Sequence, residues 1–347
     1  MSARVVEPMA DAAQWVATGP DGATPSVDLA IHDEQVVVGY GADAHSGRVT
    51  ATARATGHLL RRTIAAVNVA GAAELRLSIR SDRVAGAEGG AFFLELRLGS
   101  AALAVSDPAN TWHRLLPVRA KEVWHTVRLS LDDLPPAVAE GVTQLQLRCV
   151  DARVPFTAYL DDVIAVTPQM LVDADRALEA RLGGITVGGS PIAAAVRSSA
   201  QPAPTGSALD IVQFDLRYAP DRVRDMRRLR DFTASGARLV PLGDPYTVDY
   251  AITPVAPTRA AQAALLEAVV ARLAPFDELS VDGETLPTGL VWIAGWDRTG
   301  GAAGDVPVLY YRVGVRRPVT AGPWIREVRE LHIESDQLAG GATAVRD

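Results

Sequence analysis

The chain has 347 residues, a formal net charge of -7 and 48% hydrophobic residues, which is enough for two globular domains with their own cores. A charged fraction of only 22% excludes a disordered, charge-rich chain, and the acidic balance argues against nucleic-acid binding, because no basic excess remains to neutralise phosphates. No apolar run approaches the roughly 20 residues that cross a bilayer, so no membrane partner is expected. The N-terminus has no apolar segment typical of a signal peptide.

The sequence has few of the cysteine, histidine and glycine motifs that are typical of catalytic and metal sites. The single cysteine, Cys149, leaves no internal disulfide and no multi-thiolate metal site. The histidines show no H-E-x-x-H spacing, and the chain has no G-x-S-x-G elbow, no G-x-G-x-x-G turn and no Walker A loop. We therefore expect a protein that is not an enzyme and holds no cofactor or metal. An enzyme whose site is assembled from distant residues stays open as an alternative.

Residues 25–167 have the period-two pattern of short antiparallel strands. Leu94, Leu96 and Leu98 alternate with Glu95 and Arg97, and similar alternation is found around residues 75–80, 123–131 and 144–149. Gly- and Pro-rich turns separate these runs. The pattern predicts an antiparallel β-sandwich, preceded by an N-terminal arm over residues 1–24.

Two segments in this half resemble a known fold family. They are Trp124–Leu134 (WHTVRLSLDDL) and Ala158–Val166 (AYLDDVIAV). Together they resemble the "W-x-x-v-x-l-x-L-d-d-L … l-D-D-v" pattern of galactose-binding-like and carbohydrate-module jelly rolls. The resemblance implies a jelly-roll sandwich and says little about its ligand.

The hydrophobic period changes at Thr167–Pro168, where a second domain over residues 168–320 is predicted. Thr167 is expected to cap a helix over 168–182 whose buried face includes Leu171, Ala174, Leu178 and Leu182. Thr258 is expected to cap a second helix that runs to Leu273, with Leu266, Val269 and Val270 also in its buried stripe, and Pro275 ends it. Strands are predicted at 185–187, 192–196, 209–218, 246–253, 291–296, 308–315 and 325–333, with a loop at 197–207. One sheet with two main helices is an α+β arrangement, followed by a strand and tail over residues 321–347.

This second half resembles another family. Val172–Leu178, Ile211–Tyr218, Val248–Ile252 and Gln262–Leu266 follow the order of motifs in cap or tail-terminator-like proteins of phage tails and contractile injection systems. The resemblance implies a structural protein that caps the tube or sheath. It also implies a hexameric ring, tube and sheath partners, assembly in the cytoplasm and a final place in a virion or injection-system particle. The sandwich before the domain departs from that family's pattern.

Charged and aromatic residues of the second half supply candidate subunit contacts. Arginines are concentrated within residues 222–231, and the stretch Asp277–Glu284 carries the opposite sign, so the two could meet across a ring. A solvated surface explains both equally well. Aromatic residues are common at interface centres. The candidate interface residues are Arg222, Arg224, Arg227, Arg228, Arg230, Trp292 and Trp296.

The sandwich offers candidates for a different function. Trp112 and Trp124 could stack on a sugar ring, although core packing is the other interpretation of both. A carbohydrate-binding module protein, or a particle-surface adhesin without catalysis, is therefore the alternative function. Asp161 and Asp162 could supply oxygen ligands to calcium, but neighbouring strand residues point to opposite faces. Two histidine–aspartate pairs, His113 with Asp107 and His125 with Asp133, lack a nucleophile.

Overall fold

The computed structural model describes residues 3–34, 45–86, 90–198, 200–221, 229–240, 243–273, 278–282, 284–290 and 308–317. In that part of the chain three helices accompany a large number of strands. No helix within these ranges is long and apolar enough to span a bilayer.

Two antiparallel sheets form the first half. Sheet A has the order β3-β4-β11-β6-β9, with β1 also paired to β11, and sheet B has the order β2-β5-β10-β7-β8. The strands of sheet A are β1 (Ala3–Glu7), β3 (Leu29–Glu34), β4 (Ser46–Ala51), β6 (Glu74–Ser81), β9 (His125–Ser130) and β11 (Phe156–Val166). The strands of sheet B are β2 (Val16–Thr18), β5 (Leu59–Val67), β7 (Leu94–Ser100), β8 (His113–Leu115) and β10 (Val142–Cys149). A 3-10 turn (Ala12–Gln14) and the short helix α1 (Pro136–Ala139) lie in the connections.

The inner faces of the two sheets form one hydrophobic core, and the predicted jelly-roll β-sandwich is confirmed. The alternating residues read from the sequence point inward as expected: Leu75, Leu77 and Ile79 of sheet A are at most 2% exposed. Phe93 and Phe156 pack ring to ring across the core, with centroids 4.4 Å apart. Residues assigned to an N-terminal arm contribute β1 and β2 to these sheets.

The second half is built around a six-stranded sheet, sheet C, with the order β14-β15-β18-β21-β20-β19. Its strands are β14 (Ala193–Arg197), β15 (Ala208–Tyr218), β18 (Pro245–Val255), β19 (Glu278–Val281), β20 (Glu284–Leu290) and β21 (Leu309–Arg316). Helices α2 (Met170–Leu182) and α3 (Arg259–Arg272) share a second hydrophobic core with this sheet. Two small hairpins complete the described part, β12 (Thr186–Val187) with β13 (Ser190–Pro191), and β16 (Leu229–Thr233) with β17 (Gly236–Val240). The sheet with two helices agrees with the α+β prediction.

Helix α2 begins two residues later than predicted. Met170 is its first residue, and the Thr167 hydroxyl donates to the carbonyl of Gly71 instead of capping a helix. The backbone N–H of Gln169 donates instead to the Asp173 carboxylate at 2.7 Å. This carboxylate therefore satisfies an amide at the helix start that a Thr cap would otherwise serve. Ala174, Leu178 and Leu182 are buried as predicted.

Helix α3 starts where the sequence predicted, since the Thr258 hydroxyl accepts the N–H of Ala261. Its buried face is confirmed at Val269 and Leu273, but Leu265 takes the place predicted for Leu266 and Val270 is not part of it. Leu265, Val269 and Leu273 face the core, whereas Val270 is 47% exposed. The helix carries the adjacent apolar pairs Leu265–Leu266 and Val269–Val270, so two neighbouring stripes fit the same sequence.

Some predicted elements lie outside the described residues, namely the strands at 291–296 and 325–333 and the turn at Pro275. The division into two domains stays a prediction. Contacts tie the two halves together, since the Arg76 side chain of β6 donates to the carbonyl of Asp282 at 2.6 Å.

Candidate functional site

One row of side chains crosses the outer face of sheet A. In the strand register, His32 of β3, Arg48 of β4, Tyr159 of β11 and Arg80 of β6 stand directly opposite one another. Trp124 directly precedes β9, whose first residue pairs with Ile79, so the row continues to Trp124 at the sheet edge. The inward neighbours in β6 and β11 fill the core, and the period of two therefore places this row on the outer face.

The aromatic end of the row contains Trp124, Tyr159 and Arg80. The rings of Trp124 and Tyr159 are 6.3 Å apart and tilted by 60°, and the Arg80 guanidinium lies 5.3 Å from the centre of the Tyr159 ring. Both rings are half-buried, so each keeps an exposed surface. The Arg80 side chain donates from Nε to Glu122 at 3.0 Å, which fixes its position over the ring. We call these four residues the aromatic platform.

The neighbouring strand supplies a second polar pair. Nη1 of Arg48 donates to the Glu34 carboxylate at 3.0 Å, and both side chains are about one-third exposed, at 39% and 34%. The row thus presents a flat aromatic surface beside positively charged guanidinium groups and negatively charged carboxylates. This arrangement suits a neutral, hydroxyl-rich ligand, because it offers hydrogen-bond donors and acceptors beside an apolar surface.

The other end of the same face is covered by the second half of the chain. Arg76 and Ser78 share the outward orientation of Arg80, yet they are 1% and 8% exposed. Arg76 contacts the backbone of Asp282, whose carboxylate accepts from Arg176 of α2 at 2.9 Å. Among the described residues, the part of the outer face of sheet A that is left open is therefore the row that includes the aromatic platform.

The two candidate stacking residues, Trp112 and Trp124, have different environments. Trp112 is 1% exposed, packs in the sandwich core and lies under the Arg114 guanidinium at 5.0 Å. It cannot stack on a ligand, and core packing is correct for this residue. Trp124 is the residue of the pair that retains ligand-accessible surface.

The calcium candidates Asp161 and Asp162 are both buried, at 5% and 7% exposure. Strand β11 is bulged at this point, with a register irregularity between Asp161 and Ile164 and a φ of 41° at Asp162. Within the described ranges, no group of three or more His, Cys, Asp or Glu side chains is arranged to hold a metal ion.

The His125–Asp133 pair does not form in the structure. The two ring nitrogens of His125 lie 3.1 Å from the carbonyl oxygen of Pro117 and 3.3 Å from that of Val123, and burial lowers the pKa of this ring. Asp133 instead forms an ion pair with Arg114. The His125–Asp133 pairing is therefore wrong.

The arginine-rich run of the second half covers residues 222–231. Its last residue, Asp231, is not a solvated surface charge. Asp231 lies in the β16–β17 hairpin and is completely buried. It accepts from Arg238 at 2.9 Å, and the Nε of Arg114 lies 3.6 Å away. Arg238 also pairs with Asp132 at 2.7 Å, so this hairpin is joined to the sandwich through buried charges.

The residues assigned to a subunit interface fall mostly outside the described residues. This holds for Arg222, Arg224, Arg227, Arg228, Trp292 and Trp296, and of Arg230 only the backbone is described. The acidic partner stretch is partly described, and there Asp282 is 5% exposed and paired with Arg176 within the same chain. Asp282 is therefore not available as an acidic flank for a neighbouring subunit.

Sequence reasoning missed Tyr159, Arg80 and Arg48 as site residues. Each lies in a predicted strand, at a position that alternates with a core residue. The signal that could have found them is the register: only the pairing of β4, β11 and β6 brings the three outward residues into one row.

The comparisons with known proteins add only distant structural likenesses. No family model matches the chain, and no curated protein matches it. A family 11 carbohydrate-binding module from Clostridium thermocellum, solved with a β-1,3-1,4-mixed-linked tetrasaccharide, covers 48% of this chain and 96% of its own, with 10% identity and a TM-score of 0.31. A family 30 carbohydrate-binding module covers 47% of this chain and 85% of its own, with 12% identity and a TM-score of 0.30. An exo-β-agarase covers 53% of this chain and 27% of its own, with 12% identity and a TM-score of 0.32.

Likenesses at this level give no information on function, which must come from the residues of this chain. The class that the described residues define is a jelly-roll β-sandwich joined to a sheet with two helices. The resemblance of residues 168–320 to tail-terminator proteins receives no support from these comparisons.

Proposed function

We propose that the protein is a non-catalytic carbohydrate-binding protein, in which the aromatic platform of sheet A holds a sugar ring. The observation that carries the proposal is the pair Trp124 and Tyr159, half-buried and 6.3 Å apart at the open end of an outward row. The second half of the chain covers the Arg76 end of sheet A, and the described residues leave the two rings accessible at the other end. Isolated surface aromatics need no explanation, but a paired set held by Arg80 and Glu122 is an organised surface.

Each member of the platform has a distinct role in this proposal. The ring of Trp124 contacts the C–H face of the sugar, and Tyr159 forms the adjoining wall. Arg80 and Glu122 supply hydrogen-bond donors and acceptors to hydroxyl groups beside the rings. The rings are already fixed by packing, so little side-chain entropy is lost when the ligand binds.

A glycan array followed by calorimetric titration tests the proposal. The full chain is expected to bind a defined set of oligosaccharides saturably, and Trp124→Ala is expected to weaken binding roughly tenfold or more, since one organised aromatic contact contributes about 1–3 kcal/mol. Val123→Ala is the matched control, because Val123 is the neighbouring exposed residue at 53%. The proposal is wrong if no array glycan binds, or if Trp124→Ala and Val123→Ala bind equally well.

A further inference from the structure

The connection between β15 and β18 is longer than the pairing of these strands requires. The two strands are antiparallel neighbours in sheet C, and their paired residues Tyr218 and Tyr246 could be joined by a turn of about two to five residues. The chain instead places residues 219–244 between them, and this segment contains the β16–β17 hairpin. Strand β16 packs against β8 and β9, which are edge strands of sheet B and sheet A. The hairpin therefore extends from the second half onto one edge of the sandwich.

Apolar contacts hold the hairpin against the sandwich. Phe232 and Ala237 of the hairpin are buried and form a small hydrophobic cluster with Leu115 of β8, against which Phe92 and Val150 also pack. The rings of Phe92 and Phe232 have centroids 4.8 Å apart. Burial of these side chains removes apolar surface of both halves from water, which favours their association.

Buried ionic contacts cross the same boundary. Asp231 of the hairpin lies 3.6 Å from the Nε of Arg114 in the sandwich and 2.9 Å from Arg238 of its own hairpin. Arg238 in turn pairs with Asp132, which follows β9, at 2.7 Å. Asp231, Arg114 and Arg238 are at most 3% exposed, so the removal of one of them leaves a buried charge without its partner. These contacts fix the position of the hairpin on the sandwich.

The second half holds the sandwich at another point, on sheet A. The turn between β19 and β20 contains Asp282, whose carbonyl accepts from the buried Arg76 of β6. The Asp282 carboxylate accepts from Arg176 of α2, which fixes the turn within its own half. The turn and the hairpin belong to different connections of sheet C. Two separate contacts of this kind oppose both sliding and rotation of one half against the other.

We propose that the β16–β17 hairpin is a clasp that holds the sandwich and sheet C together as one rigid body, even without the covalent link at Thr167–Pro168. The second contact, at Asp282, keeps one end of sheet A covered, so the clasp also fixes the extent of the open row beside the aromatic platform. The clasp depends on no ligand. A failure of the carbohydrate proposal would therefore leave it unaffected.

Cleavage of the covalent link in the full chain tests the clasp. A protease recognition sequence is inserted between Thr167 and Pro168, in a connection where Thr167 and Gln169 are exposed. After cleavage, the two fragments are expected to elute together in gel filtration at about 1 μM, because the hairpin and the Asp282 turn still join them. Dilution of the cleaved protein then gives the dissociation constant of the two fragments.

Phe232→Ser is the principal variant, because Phe232 supplies the aromatic contact of the hairpin with the sandwich. It is expected to weaken fragment association roughly tenfold or more. Phe214→Ser is the matched control in the same half, since Phe214 is 38% exposed and packs on Tyr310 of sheet C, and it should have no effect. Far-UV circular dichroism before cleavage shows whether each variant is folded.

Asp132→Asn tests the clasp from the sandwich side. Asp132 is one-third exposed, so its replacement should leave the fold intact while it weakens the pair with Arg238. Fragment association is expected to weaken roughly threefold or more. This variant decides the outcome if Phe232→Ser does not fold.

Pulsed EPR of the uncleaved chain measures the rigidity directly. Spin labels on Val27→Cys in the sandwich and Val270→Cys in α3 occupy exposed positions of the two halves, and the native Cys149 is buried. A single narrow distance distribution is expected, and Phe232→Ser should broaden it. A broad distribution in the parent chain would contradict the rigid body.

The proposal is overturned if the cleaved fragments of the parent chain separate at about 1 μM. Equal association of Phe232→Ser and Phe214→Ser would also contradict it, because the hairpin contact would then contribute nothing. The same conclusion holds if Phe232→Ser does not fold and Asp132→Asn associates as tightly as the parent.

Discussion

The carboxylate of Asp231 accepts the backbone N–H of Ser130 at 3.1 Å. Ser130 ends β9, the edge strand of sheet A, and Asp231 belongs to the β16–β17 hairpin of the second half. The Asp231 side chain of the second half thus accepts a hydrogen bond from a backbone amide at the edge of the sandwich. Phe232, next to Asp231, packs against Phe92 with ring centroids 4.8 Å apart. The hairpin therefore covers an edge of the sandwich that would otherwise remain open for strand pairing.

Replacement of Asp231 with Asn should destabilise the protein. The change removes a buried negative charge from between Arg114 and Arg238, which are 1% and 3% exposed. Breaking a buried pair by removing one partner typically costs 3–5 kcal/mol, and we expect about 3 kcal/mol in the free energy of unfolding, because Asp132 and Asp133 remain near the arginines. Urea denaturation followed by far-UV circular dichroism measures this change.

Asp215→Asn is the control for this prediction, since Asp215 forms a solvent-exposed pair with Arg217. It should change the free energy of unfolding by less than about 1 kcal/mol. If Asp231→Asn is as stable as Asp215→Asn, the buried charges do not join the hairpin to the sandwich.

Cys149 should be chemically inert in the native protein. It is fully buried in the sandwich core, and burial raises the pKa of its thiol to about 12. At pH 8 the native thiol should react with a disulfide reagent at least roughly a hundredfold more slowly than in denaturant. Val27→Cys supplies an exposed reference thiol, because Val27 is 91% exposed. Equal rates for the two thiols in the native state would show that the core does not enclose Cys149.

Asp175 should give the protein a specific pH dependence. Burial raises the pKa of its carboxyl above 3.8, although the Tyr250 hydroxyl donates to it at 2.6 Å. The folded state therefore holds this proton more tightly than the unfolded chain does. The contribution of Asp175 to stability is largest at low pH and declines as the pH rises from about 3.8 through the raised pKa.

The measurement is the difference in free energy of unfolding between the wild type and Asp175→Asn, taken between about pH 3.5 and pH 6.5. As the pH rises, the free energy of unfolding of the variant should increase relative to that of the wild type, because the amide of the variant does not ionise. A difference that stays constant, or that moves in favour of the wild type, would show that the folded state does not disfavour the ionised carboxyl.

Thr258 and Thr167 should respond differently to replacement by Ala. The Thr258 hydroxyl caps α3, and its loss should cost about 1 kcal/mol of stability. The Thr167 hydroxyl makes an exposed hydrogen bond to Gly71 outside any helix, so its loss should cost less than half of that. Thermal unfolding of the two variants compares them, and a larger loss for Thr167→Ala would mean that α2 uses the cap predicted from the sequence.

The sandwich was predictable because several of its strands alternate between core and outward residues, as the buried Leu75, Leu77 and Ile79 show. The start of α2 was not, because Asp173, within the helix, takes the role that Thr167 was expected to have. The β16–β17 hairpin was missed because Ala234 and Ser235 form its turn, without the Asn-Gly or Asp-Gly signal of common hairpins.

The candidate site depended on information that a single sequence does not contain. Trp124 could be named from its residue type, but its partners Tyr159 and Arg80 lie on strands far apart in the chain. Their meeting depends on the order β4-β11-β6-β9, which is a property of the topology. The outer face of sheet B is likewise a product of topology, since Arg61 and Arg97 flank Gln146 only through the pairing of β5, β10 and β7.

Fluorine NMR of protein labelled with 5-fluorotryptophan tests the proposed carbohydrate site most directly. The chain has six tryptophans, and a Trp124→Phe variant assigns the signal of interest. During titration with an oligosaccharide selected on the array, the Trp124 signal should shift saturably with the dissociation constant found by calorimetry. The signals of Trp15 and Trp112, which are 6% and 1% exposed, should stay in place. A Trp124 signal that does not move while calorimetry records binding would show that the sugar binds elsewhere and would contradict the assignment of the aromatic platform.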